Sequence, residues 1–166
     1  MAQTVNYLTE HGLLEYETLT KKVNEAVAQH AELSAKIKSA EKRMSEIAEL
    51  KKQIINYSKT RDVYEAYRKA GYSKKFLAEH EQEIQLHKAA KKAFEELGRT
   101  KLPTIKGLQT EYEALLAEKQ ATYADYRKAK EEMRELLTIK ANMDRLLKQT
   151  QENEQINTRE NDQEYS

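Results

Sequence analysis

The chain has 166 residues, about the length of one domain, with 34% charged residues, one proline, four glycines and no cysteine. The absence of cysteine excludes disulfides and thiolate metal sites, and no apolar run approaches the roughly 20 residues that a membrane span needs. The first residues lack the basic and apolar regions of a signal peptide, so we expect a cytoplasmic protein without membrane insertion. Because strong helix formers fill most of the sequence, the composition predicts an all-α fold of long helices.

Glycines divide the sequence into four predicted helices. Gly12 would end a short helix, Gly71 a long one and Gly98 a middle one. The predicted helices are 3–11, 15–70, 73–97 and 104–150. They would form a single helical domain over residues 1–150. Residues 151–166 carry five acids and one arginine, a net charge of −4, and lack apolar periodicity, which predicts a disordered acidic tail.

The two longest predicted helices carry apolar residues at the alternating spacing of three and four residues that is typical of coiled coils. The first stripe consists of Leu19, Val23, Ala26, His30, Leu33, Ile37, Ala40, Met44 and Ile47. The last helix has Leu108, Tyr112, Leu115, Lys119, Thr122, Tyr126, Ala129, Met133, Leu136, Lys140, Met143 and Leu147. A second partial stripe of Leu116, Tyr123, Leu137 and Leu146 widens its apolar face.

These stripes predict a long antiparallel coiled-coil helical hairpin, with the shorter middle helix packed at the tip. The first stripe loses its register between residues 51 and 61, where we expect a third helix to join. An intermolecular coiled coil is the alternative that the spacing leaves open.

Two seven-residue segments are near copies of each other. YEAYRKA begins at Tyr64 and YADYRKA begins at Tyr123, and five of the seven positions are identical. In each copy the two tyrosines are three residues apart, on one face of a helix. Tyr126 belongs to the coiled-coil stripe, so core packing explains the second copy. The first copy lies where the register is lost, and packing explains it less well.

The first copy belongs to a basic stretch, 56–76, with six Lys or Arg and two acids. Aromatic side chains between basic ones can stack on bases while the cations bind phosphates. The candidate nucleic-acid-binding residues are Arg61, Tyr64, Tyr67, Arg68, Lys69, Tyr72, Lys74 and Lys75. The competing interpretation is helix packing by the tyrosines beneath a solvated basic surface.

The sequence contains no pattern that is typical of an active site. The four histidines are His11, His30, His80 and His87. They form neither the HExxH nor the Glu-x-x-His pattern of metal sites, and outside the stripe we expect them to face solvent. Glycine-rich phosphate loops and the GxSxG nucleophile pattern are absent as well. We therefore expect a chain that is not an enzyme and that has no cofactor or metal.

Long strings of this sequence resemble the C-terminal region of relaxases, the mobilisation nucleases of bacterial conjugative transposons. They are YSKTRDVYEAYRKAGYSKKFLAEHE, HKAAKKAFEELG and KLPTIKGLQTEYEALLAEKQATYADYRKAKEEMRELLTIKANMDRLL, and the opening VNYLTEHGLLEYETL is similar too. The resemblance covers the chain from about Val5 to Leu147.

The resemblance implies a function in DNA mobilisation. Relaxases nick DNA with a tyrosine nucleophile and a metal held by a histidine cluster, both in an N-terminal domain, and this sequence has no such cluster. A non-catalytic accessory domain, excised or encoded alone, is therefore expected, and its full-length parent would be a DNA-nicking relaxase. The domain would assist binding of transfer-origin DNA or dock a relaxosome or coupling protein. The alternative is a structural coiled-coil module for protein interaction or homodimerisation, with no DNA role.

Overall fold

The computed structural model describes residues 2–98 and 102–165, and among these the side chains of residue 12 and of all residues from 14 onward. These residues form α-helices joined by short turns, with no strand among them. The helices are α1 (Ala2–Lys69), α2 (Lys74–Glu79), α3 (Glu81–Glu96) and α4 (Ile105–Glu164). The prediction of an all-α fold is confirmed.

The chain divides into two compact units. The terminal unit comprises Met1–Lys36 and Thr122–Ser166, and the central unit comprises Ile37–Ala121. A single domain over 1–150 stays a prediction.

In the terminal unit α1 and α4 run antiparallel. The Tyr16 hydroxyl donates to the Asp144 carboxylate over 2.6 Å, and the His30 ring lies 4.8 Å from the Tyr126 ring. The predicted stripes supply the core, in which Val23, Ala26 and Ala129 are buried. The four residues of the predicted second stripe of α4 are between 38% and 61% exposed, so this stripe does not widen the buried face of the helix.

In the central unit, the coiled-coil stripes again supply the buried side chains where α1 meets α4. Ile37, Met44 and Ile47 are buried on α1, and Leu108 is buried on α4. Two ion pairs bridge these helices at the edge of the core. The Arg43 guanidinium donates to both carboxylate oxygens of Glu111, at 2.7 and 3.1 Å, and Lys119 lies 3.1 Å from Glu41. The antiparallel direction therefore holds within this unit too.

Beyond Ile47 the buried side of α1 shifts to residues that contact α3. These are Tyr57, Thr60, Tyr64 and Tyr67, which are buried or half-buried at spacings of three and four residues. From α3, the buried side chains are Ile84, His87 and Ala90. A third helix therefore joins where the first stripe loses its register, as predicted.

Two helix boundaries differ from the prediction. α1 continues through Gly12, because one glycine inside a helix costs only about 1 kcal/mol and a new helix would need its own nucleus. At the other end, α4 extends to Glu164, so residues 151–164 are helical rather than disordered. Propagation from an existing helix adds a hydrogen bond per residue, and this segment is rich in glutamate and glutamine, which tolerate the helix well. Gly71 and Gly98 have φ of 68° and 61° and end helical segments as predicted.

Replacing Gly12 within α1 and Gly71 in the turn after α1 by alanine should change the stability of the protein in opposite directions. Gly71→Ala should destabilise the protein by about 1–2 kcal/mol, because an L-residue is strained at positive φ. Gly12→Ala is the matched control and should stabilise it by up to about 1 kcal/mol. An added Cβ meets no atom within 4 Å at either position, so only backbone conformation separates the two variants. Urea unfolding followed by circular dichroism measures both, and equal effects would contradict the assigned turn.

Candidate nucleic-acid interface

The predicted basic residues meet at the turn between α1 and α2. Residues 70–73 connect the helices, and the first of them form a Schellman motif that ends α1. In this motif the Gly71 N–H donates to the Arg68 carbonyl, and the Tyr72 N–H donates to the Tyr67 carbonyl, both over 3.1 Å. Ser73 then caps α2, its hydroxyl accepting from the Phe76 N–H over 3.4 Å. Backbone hydrogen bonds on the side of α1 and the Ser73 side chain on the side of α2 thus order the turn.

Four exposed cations surround this turn, and we call them, together with Tyr72, the basic turn. They are Arg68 and Lys69 in the last turn of α1 and Lys74 and Lys75 in the first turn of α2. None of the four forms an ion pair with another side chain in the described part of the chain. Arg61, the fifth predicted cation, differs because its guanidinium lies 3.6 Å from Glu65. Arg61 therefore contributes less net charge to the surface.

The two pairs of cations have opposite relations to the helix dipoles. Arg68 and Lys69 lie at a C-terminus, where positive charge is favourable. Lys74 and Lys75 lie at the N-terminal end of α2, where positive charge is unfavourable, and α2 has no acid in its first turn. Local helix stability therefore does not explain this second pair, whereas a bound anion between the cations would stabilise them.

Tyr67 was predicted to stack on bases, and the structure corrects this prediction because the residue is buried. Its side chain is only 6% exposed, and its ring packs edge-on against Tyr72 at 5.2 Å and lies 6.1 Å from Phe76. The Lys88 ammonium lies 5.9 Å from the centre of the same ring. Such a ring cannot also receive a base, so Tyr67 anchors the turn instead of binding through it.

Tyr64 is half-buried and lies against α3. Its ring stacks on the His87 ring at a distance of 4.3 Å between centres. Tyr72 is the one predicted stacking residue with an exposed side chain, at 55%. Its φ of 60° is unusual for a bulky residue and turns the residue out of the helical path. Of the three tyrosines, only Tyr72 is placed to stack on a ligand.

The second copy of the repeat has different neighbours in the terminal unit. Tyr126 packs against His30, as the stripe predicts, and Tyr123 lies 5.5 Å from Tyr126. The Arg127 guanidinium is 5.0 Å from the centre of the Tyr123 ring, a cation–π geometry. This copy lies within the continuous helix α4, without a turn behind it. Identical residues are thus used differently in the two units.

His87 is the second correction, because it is buried rather than solvent-facing. Its side chain is 4% exposed and lies between the rings of Tyr57 at 4.6 Å and Tyr64 at 4.3 Å. Its Nδ1 is 3.0 Å from the Thr60 hydroxyl, which donates to the Asn56 carbonyl over 2.7 Å. With the Thr60 proton directed to Asn56, the Thr60 oxygen can accept a hydrogen bond from Nδ1.

Burial of the ring lowers the pKa of His87 below its ordinary value of 6.5, and the positive charge of Lys91 lowers this pKa further. The titratable side chains that face it from α1 are Tyr57 and Tyr64. The spacing of Ile84, His87 and Ala90 is the signal in the sequence that places this histidine on the apolar side of α3.

The described residues contain no group of three or more His, Asp or Glu side chains that could hold a metal ion. Among the same residues, no helix is both long enough and apolar enough to cross a membrane. Neither a protein-family model, nor a curated protein, nor a solved structure matches the chain. The resemblance to relaxases therefore stays a prediction.

The buried histidine should make stability depend on pH. Because its pKa is lower in the folded state, His87 binds a proton more tightly in the unfolded chain. The free energy of unfolding is therefore unaffected by this titration above the unfolded-state pKa of about 6.5, and it decreases as the pH falls below that value. We expect urea unfolding to show a loss of up to about 1.4 kcal/mol per pH unit from this residue between pH 6.5 and its folded-state pKa.

His87→Phe is the matched variant, because it keeps an aromatic ring between the two tyrosines and removes the titrating group. At pH 7.5, the difference in stability between the variant and the wild-type protein measures the cost of losing the Thr60 hydrogen bond. The change in the variant's stability from pH 7.5 to pH 5 measures the effect of all other titrating groups. The wild-type protein should lose more stability over this range than the variant. Equal losses in the two proteins would show that His87 is not the acid-sensitive group.

Proposed function

We propose that this chain is a non-catalytic, all-α accessory region of a relaxase, in which the basic turn binds the phosphates of transfer-origin DNA while a separate domain cuts. The observation that carries the proposal is the convergence of four exposed cations on one ordered turn, with none of them in an ion pair within the described residues. Docking of a relaxosome or coupling protein is the other form of the same accessory role, and it would use an acidic partner surface.

The packing beneath the turn supports this proposal. Tyr64 and Tyr67 are held by α3 and α2 through His87 and Phe76, so the end of α1 has a fixed position in the central unit. A fixed turn presents its cations without a large loss of backbone entropy on binding, and such preorganisation favours affinity. The Lys74–Lys75 pair supports the same conclusion, because phosphate would offset its unfavourable position at the start of α2.

The strength and salt dependence of binding follow from the number of cations. Each phosphate that is neutralised releases counterions, and the logarithm of the affinity falls with the logarithm of the salt concentration with a slope of about −0.9 per contact on duplex DNA. Four contacts would weaken binding roughly hundredfold between 50 and 200 mM salt. Because the cations contact phosphates, we expect little dependence on the base sequence.

The repeat supplies a test with a matched control. Arg68→Ala/Lys69→Ala removes two cations of the basic turn, and Arg127→Ala/Lys128→Ala removes the same dipeptide from the second copy. Fluorescence anisotropy with single- and double-stranded oligonucleotides at 50 to 200 mM salt should show weaker binding and a salt slope smaller by about two units for the first variant only. Equal effects of both variants, or no binding at 50 mM salt, would refute the proposed interface.

Tyr72 makes a separate contribution that depends on unpaired bases. Tyr72→Ala should weaken binding of a single strand by about 1–3 kcal/mol, the usual range for base stacking on an aromatic ring. Binding to a duplex should change much less, because its bases already stack on each other. Tyr165→Ala removes another exposed tyrosine and serves as the control. The same titrations measure both variants, and an equal loss on single and double strands would argue against stacking.

The exposed apolar residues of the terminal unit favour the alternative function, a structural coiled-coil module for protein interaction or dimerisation. Leu137, Ile139 and Leu146 of α4 are between 42% and 61% exposed, so α4 presents apolar side chains that a protein partner could cover. Sedimentation with and without DNA separates the functions. A tight dimer that is indifferent to DNA supports the alternative, and a DNA-bound complex supports the accessory role.

A further inference from the structure

The C-terminal end of α4 carries a row of acidic side chains around one isoleucine, and we call it the acidic row. It consists of Glu152, Ile156, Glu160 and Glu164, which are four residues apart and therefore follow one side of the helix. The row extends over about 18 Å at the helical rise of 1.5 Å per residue. Its carboxylates are exposed, and Ile156 is 53% exposed. None of these carboxylates forms an ion pair within the described ranges.

The charges of this row are unfavourable where they lie. Glu160 and Glu164 occupy the last turns of α4, where the helix dipole disfavours negative charge, and that end has no basic residue in its last turn. Like charges four residues apart also repel each other by a few tenths of a kcal/mol in isolated helices. Burial of a core does not compensate, since residues 151–165 are all exposed. A cationic partner would relieve both costs.

The basic turn has the complementary properties. It presents four cations around Tyr72, an exposed apolar ring, and the acidic row presents carboxylates around Ile156. The acidic row carries three negative charges, and the basic turn carries four positive charges. Lys74 and Lys75 also lie at a helix end that disfavours their sign. Each surface therefore offers the charge that the other lacks, together with one apolar side chain for contact.

We propose that the acidic row of one copy of this chain binds the basic turn of a second copy. The contact joins two different surfaces, so two copies that exchange it reciprocally form a closed dimer, and copies that pass it on form a ring or an open chain. It uses the same cations as the proposed DNA site but does not rest on nucleic-acid binding. Where both ligands are present, DNA and the acidic row would compete for the basic turn.

Sedimentation velocity of the full chain at 50 mM salt tests this contact. The mean sedimentation coefficient should rise with protein concentration and fall towards that of a monomer at 300 mM salt, because salt screens exposed charge pairs. Glu152→Gln/Glu160→Gln should weaken self-association roughly tenfold. Glu154→Gln/Asp162→Asn is the matched control, since it removes two charges from the same helix end outside the row, and it should retain most of the association.

Charge reversal identifies the two surfaces. Arg68→Glu/Lys75→Glu and Glu152→Lys/Glu160→Lys should each abolish self-association alone, and a mixture of the two variants should restore it. A wild-type monomer at every concentration, association that the acidic-row variants leave unchanged, or no recovery on mixing would each overturn the proposal. The anisotropy titrations test DNA binding separately from self-association. A protein that binds DNA without self-associating would support the proposed function and refute only the contact between copies.

Discussion

The apolar stripe of α1 needs a partner along its length, because a single helix of these residues has no core of its own and water would reach every side chain. In the terminal unit and in the first part of the central unit, α4 covers the stripe with its own apolar residues at the same spacing. Beyond Ile47 the covering helix is α3, and the buried side of α1 shifts towards Tyr57 and Tyr64. The choice of partner therefore decides which tyrosines are buried and which cations remain exposed.

This constraint connects packing to the proposed interface. Because Tyr64 and Tyr67 are drawn against α3 and α2, the Arg-Lys dipeptide that follows them is left at the exposed end of α1. The chain then turns through Gly71 and Tyr72, which both have positive φ. The edge-on contact between the Tyr72 and Tyr67 rings compensates part of the backbone strain at Tyr72. The basic turn is thus positioned by the aromatic cluster beneath it, and in the proposed interface Tyr64 and Tyr67 would act through that position.

Sequence reasoning succeeded where one periodic pattern dominated the energy. The stripes of α1 and α4 and the loss of register before Tyr57 follow from apolar spacing. The structure buries or half-buries the stripe residues except Leu147, the last of them, which is exposed. It failed where two effects of similar size competed. Gly12 predicted a helix end, but continuing the helix costs less than nucleating a new one. His87 looked solvent-facing as a polar residue, although its spacing from Ile84 places it in the core. The positive φ of Tyr72 has no signal in the sequence, since glycine is the residue expected there.

The repeated heptapeptide shows why function has to be argued from position. In YADYRKA the arginine lies along the continuous helix α4, with its guanidinium over the Tyr123 ring, so that its charge is partly satisfied by a neighbour. In YEAYRKA the same dipeptide reaches a helix end, and two lysines with an unfavourable helix dipole follow across the turn. A surface that concentrates positive charge against its own local electrostatics is stabilised by an anion. This contrast supports our proposal that the basic turn, and not the second copy, binds an anion.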